Sequence, residues 1–136
     1  MIAFFDSSAL IYLIEARPPF DQKARAVLAD LAESGNPLGA AVSRLTWLEC
    51  RVGPMKANDT ILLSTYDAFF AKTDLIWVEM DRTVVELAAA IRAREGLRTP
   101  DAIQAASCLQ LGPNHCFLTG DSAFKKVSGL NVALLT

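Results

Sequence analysis

Short apolar runs alternate with longer stretches of helical period along this chain. Residues Ile2–Phe5 form a continuous apolar run that stops at Asp6-Ser7-Ser8. That pattern predicts a buried strand followed by a helix cap. A short helix is then expected over 9–15, broken at Arg17-Pro18-Pro19. Ala24, Val27, Leu28 and Leu31 share one face of a helix over 21–33, which ends at Gly35-Asn36-Pro37. Residues 38–42 predict a second strand. Ser43 then caps a helix through Arg51, ended by Gly53-Pro54. A helix over 59–72 precedes a strand over 75–80. Val84, Leu87, Ala88 and Ile91 keep register in a helix over 83–95, with Gly96 beyond its end. Thr99-Pro100-Asp101 opens the next helix, which runs to about Leu111. Strands over 116–118 and 132–135 close the chain, with a turn and short helix over 120–126 between them. This alternation predicts an α/β domain with a central, mainly parallel sheet. In such sheets ligands bind outside the carboxyl ends of the strands.

The 136 residues suit one domain spanning 1–136. Hydrophobic residues make up 52% and charged residues 21%, a globular composition that argues against disorder. The apolar excess leaves room for a second copy as partner. Cys50, Cys108 and Cys116 are odd in number and lack C-x-x-C spacing, so buried free thiols in a reducing compartment are expected. No signal-like leader and no membrane-length apolar run is present, which predicts a soluble, cytoplasmic protein. The net charge of −2 gives no electrostatic support for nucleic-acid binding. Any action on a polyanion must therefore be argued from a site.

Four acids stand where a surface acid has little reason to be. Asp6 ends the first strand, and Asp121 follows the 116–118 strand in Leu118-Thr119-Gly120-Asp121. Both are expected at the crevice. Asp101 heads the stripe Ala105, Cys108, Leu109 of its helix. Glu49 lies 40° from Leu45 at 100° per residue, within an expected apolar stripe of Leu45, Leu48 and Val52. Capping, a helix dipole or a turn would explain Asp6, Asp101 or Asp121 singly, but not the placement of Glu49. Converging carboxylates repel one another unless a cation neutralises them, and Mg²⁺ or Mn²⁺ suits such oxygen donors. A divalent ion so held activates water and neutralises charge on a phosphate. A single histidine, His115, excludes a two-histidine mechanism and reads as a loop or strand-start residue. No Gly-rich phosphate loop, nucleophile elbow or zinc spacing is present. Among basic residues that could meet phosphate are Arg51, Lys56, Arg92, Lys125 and Lys126, with Arg98 the first choice. Trp47 is expected in the core.

Phe5-Asp6-Ser7-Ser8-Ala9-Leu10 resembles the opening motif of PIN domains, most closely of VapC-type toxins. Glu49 in Trp47-Leu48-Glu49-Cys50 looks like the family's second acid. The segment from Leu97 to Ala106, around Thr99-Pro100-Asp101, is similar to the most characteristic VapC segment, and Thr119-Gly120-Asp121 with Phe124 resembles the last motif. The resemblance implies a PIN-like α/β/α sandwich, commonly dimeric. It implies an Mg²⁺ or Mn²⁺ site of Asp6, Glu49, Asp101 and Asp121, with Ser7 and Thr119 orienting water or phosphate. It also implies endoribonuclease activity and a cognate antitoxin partner. A PIN nuclease acting on RNA or structured DNA outside any toxin system is the alternative. A phosphoacceptor receiver module would want adjacent acids where Ser7 follows Asp6. A haloacid-dehalogenase-type phosphatase would want a second Asp at Ser8.

Overall fold

The computed structural model describes residues 1–136. Five strands form one parallel sheet in the order β3-β2-β1-β4-β5. They are β1 (Ile2–Phe5), β2 (Gly39–Ser43), β3 (Ile76–Val78), β4 (His115–Thr119) and β5 (Val132–Leu134). Six helices connect them: α1 (Ser7–Ile14), α2 (Phe20–Glu33), α3 (Arg44–Lys56), α4 (Thr60–Phe70), α5 (Arg82–Glu95) and α6 (Thr99–Leu109). A 3-10 helix at Ser122–Lys126 precedes β5.

The all-apolar β1 is central because it is covered on both faces and paired on both edges. Phe4 joins a core with α5 and α6, whereas Ala3 and Phe5 join a second core with α1 to α4. This alternation is the period of two that a strand imposes. β1 pairs with β2 on one edge and β4 on the other. From β1 the chain winds outward to β2 and β3, then returns to β4 on the opposite side. The order of winding therefore reverses between β1 and β4, and the crevice at their carboxyl ends is the topological switch point. Phe4 and Phe117 stack across that pair with centroids 5.3 Å apart, both fully buried. Phe117→Ala is expected to cost about 3–5 kcal/mol, seen as a lower urea midpoint at unchanged m-value.

Helix ends follow their caps. Asp6, Ser43, Asp59 and Asp81 each accept a backbone N–H from their helix's first turn. Gly96 ends α5 in the left-handed region at φ 71°. The helix expected to stop before Gly53-Pro54 instead continues to Lys56. Pro54 sacrifices one N–H bond but is buried, and the turn recovers through Ala57 N to Gly53 O and Asp59 N to Pro54 O. Asn58, at φ 52°, then ends it. The buried face of α3 is Thr46, Cys50 and Pro54 rather than the expected apolar stripe. Leu48 is 52% exposed, and Trp47, Val52 and Met55 also face outward.

The cysteines are unpaired, two of them fully buried. His115 opens β4, its Nδ1 toward Gly112 O at 2.6 Å and its Nε2 accepting from Asn131 N at 3.1 Å. No helix is long and apolar enough to cross a membrane.

Candidate active site

Asp6 leaves β1 at its carboxyl end and also caps α1. It is 5% exposed. Its Oδ1 accepts from Ala9 N at 2.9 Å and Ser8 Oγ at 2.8 Å, and its Oδ2 from Thr119 Oγ1 at 2.5 Å. The Thr119 hydroxyl also accepts from Asp121 N, and Ser8 Oγ accepts from Gly120 N, each at 3.1 Å. Two hydroxyls thus stitch the ends of β1 and β4 together around one carboxylate. Between Thr119 and Asp121 glycine leaves room for Tyr12: a Cβ on Gly120 would lie 2.6 Å from the Tyr12 hydroxyl, so a larger residue there requires that ring to move.

Glu49 is half-buried on α3. Its Oε1 accepts from Ser7 Oγ at 2.6 Å and faces Gln104 Nε2 at 3.4 Å. Gln104, on α6, is 3% exposed. Its Nε2 donates to Thr46 Oγ1 at 3.0 Å and Ser7 Oγ at 3.2 Å, while its Oε1 accepts from Ser43 Oγ at 2.8 Å. One amide thereby sets the hydroxyl that holds Glu49. Motif reasoning passed over Gln104. The available signal was a lone amide one helical turn beyond Asp101, in a run otherwise of small and apolar residues.

Asp6, Glu49, Asp101 and Asp121 line one small cavity of about 170 Å³ with Ser7, Ser8, Arg98 and Gln104. Thr119 sits behind it, fully buried. Arg98 is the cavity's single cation. Its guanidinium is well exposed and meets Asp101 Oδ2 at 3.4 Å. Burial pushes the Asp6 carboxyl up to about 6, against its bonds from Thr119, Ala9 and Ser8; Asp101 adds repulsion. Asp101 is also raised, by burial first and by Asp121 and Glu49, with Arg98 opposing. The four acids are therefore electrostatically coupled.

No three of them form a ready-made set of metal ligands. Asp121 Oδ1 accepts from Ala123 N and Glu49 is turned onto Ser7. The donor chemistry still fits a hard divalent cation. All four are carboxylates, and a cation would relieve the burial and repulsion that raise Asp6 and Asp101.

A PIN domain family model matches residues 3–130. No curated protein matches the chain significantly. VapBC2 from Rickettsia felis, solved with a promoter DNA fragment, is similar with TM-score 0.76 and 18% identity over 98% of both chains. A toxin–antitoxin complex from Klebsiella pneumoniae gives 0.69 and 25% over 98% of both. VapBC-1 from nontypeable Haemophilus influenzae gives 0.72 and 17%, covering 99% of this chain and 98% of that one. The parallel sheet, the crevice between β1 and β4 and the match over nearly the whole length agree: the chain belongs to the PIN domain family.

Proposed function

We propose that this protein is an Mg²⁺- or Mn²⁺-dependent endoribonuclease and the toxin of a toxin–antitoxin pair, working in the cytoplasm as a single domain. The observation that carries the reading is the convergence of Asp6, Glu49, Asp101 and Asp121 on one cavity at the switch point of the sheet. PIN domains are generally nucleases, and the similar solved structures include one described as a toxin–antitoxin complex and two described as VapBC, which supports a cognate antitoxin. Exposed Leu48, Val52, Met55, Ile61 and Val85 support a homodimer.

The four carboxylates would hold the ion. When bound, it supplies charge neutralisation and water activation for hydrolysis of the phosphodiester. The chain's own groups do the rest. Arg98 reaches out beside Asp101 to bind the substrate phosphate, by charge and by the fork of its guanidinium. Ser7 holds Glu49 and Thr119 holds Asp6 at the cavity, which limits the movement either acid needs to reach the ion.

The test is cleavage of a structured RNA pool by purified, partner-free protein with Mg²⁺, Mn²⁺ or EDTA. The expected result is cleavage with either metal and none in EDTA. Cleavage that survives EDTA, or none by protein shown to be folded, overturns the reading. Metal should also raise the melting midpoint by mass action, and Asp101→Asn should remove that increment in the same thermal scan.

A further inference from the structure

A second cavity, of about 310 Å³, opens between α1, α3 and α4 and shares Glu49 with the first. Ile11, Pro54 and Leu62 give it apolar walls, and Glu15, Arg17 and Asp59 give it polar ones. Its size and this balance are those of a small-ligand pocket. The buried Cys50, next to Glu49 in sequence, lines this second cavity. Its thiol is raised by burial first, then by Glu49, Glu15 and Asp6. The two cavities meet at Glu49.

The polar wall is ordered. Glu15 Oε2 accepts from the Tyr66 hydroxyl at 2.6 Å, and Glu15 Oε1 from Arg17 Nη2 at 2.9 Å. Each carboxylate oxygen keeps a second lone pair, and Arg17 keeps unused donors. Glu15, Glu49 and Asp59 outnumber Arg17, so a phosphate is repelled here while a neutral ring rich in N–H donors is attracted. Single-stranded RNA offers such rings when unstacked and read on their Watson–Crick edge. Guanine presents N1–H and the N2 amino group beside O6, which complements a carboxylate next to a guanidinium.

We propose that this cavity is a base-recognition subsite that seats an unstacked guanine flanking the cleaved phosphodiester. Glu15 accepts from N1–H and N2–H, Arg17 donates to O6, and Ile11, Pro54 and Leu62 cover the ring. The inference rests on the ribonuclease reading above and names its substrate preference.

The experiment is cleavage of a randomised single-stranded RNA by the full chain with Mn²⁺, read by sequencing the new ends. Wild type is expected to enrich guanine at one position beside the cut. Glu15→Gln, nearly isosteric, and Ala57→Trp, which plugs the cavity from an exposed position, should each reduce that enrichment about tenfold. Glu86→Gln on α5 should not change it. Inosine, lacking the 2-amino group, should lower wild-type cleavage at that position but not cleavage by Glu15→Gln. A wild-type profile flat across the four bases, or an enrichment that survives both variants, overturns the subsite. If wild type cleaves nothing, calorimetry with guanine- and inosine-containing tetranucleotides decides. A Glu15-dependent preference for guanine then keeps the subsite and overturns the ribonuclease reading. Equal or absent binding of the two overturns the subsite, as does Glu15-dependent capture of a basic apolar peptide in place of RNA.

Discussion

Replacing Asp6 with Asn is expected to cut RNA cleavage by on the order of 10²–10³-fold or more while making the metal-free protein more stable at neutral pH. Both effects have one origin. Asn keeps an acceptor for Ala9 N and Ser8 Oγ and leaves the Thr119 contact able to re-form with reversed polarity, so the local fold survives. It removes the charge that an ion would require. The same charge is costly when no ion is present, because burial pushes the Asp6 carboxyl up to about 6 from an ordinary 3.8. Between about pH 4 and 6 the folded state then binds more protons than the unfolded state. Stability falls as pH rises through that window and levels off above it. The displacement corresponds to roughly 3 kcal/mol, and Asp6→Asn should abolish that part of the decline. Urea midpoints from pH 4 to 8, in EDTA, check this. An identical decline in the variant would show that Asp6 is not the group responsible.

Replacing Gln104 with Leu is expected to cost about 1–3 kcal/mol in stability and 10–100-fold in cleavage. Leu fills a similar volume but leaves the Ser43 hydroxyl without its acceptor and removes the donor to Thr46 and Ser7. The desolvation cost of those buried groups is the stability term. The activity term arises because Ser7 loses the contact that aims it at Glu49. Gln104→Glu keeps an acceptor for Ser43 but buries a second carboxyl beside Glu49 and also loses the donors to Thr46 and Ser7, so it should recover neither stability nor activity at neutral pH. Denaturation and cleavage, measured on the same preparations, separate the two. A loss confined to stability would reduce Gln104 to packing.

Elements with strong local signals were legible in the sequence. The apolar β1 run, the side-chain caps at Asp6 and Ser43, and Gly96 act within a few residues, so their signals are complete in one stretch of chain. Asp6 and Asp121 could be placed at strand ends for the same reason. α3 was misread twice, in its end and in its face. Pro54 lies where one lost N–H bond is tolerated, and the buried face carries Thr46, Cys50 and Pro54 because what lies beneath it is the polar Gln104 network and a cavity. Apolar periodicity then marks the outer face, and Trp47 went outward with it. Glu49 lines the cavity with the other three acids, although the apolar stripe used to place it is largely exposed. Gln104 stayed hidden because its partners lie 55 to 97 residues away in sequence, beyond any local pattern.

That the four carboxylates act as one cation site is the claim on which the account depends. It is tested most directly by calorimetric titration of Mn²⁺ into wild type and into Asp6→Asn, Glu49→Gln, Asp101→Asn and Asp121→Asn, with folding checked for each. The account predicts saturable binding to wild type, weakened at least about tenfold by every one of the four changes. Wild-type affinity retained in all four variants, or no saturable binding to the folded wild type, would contradict it.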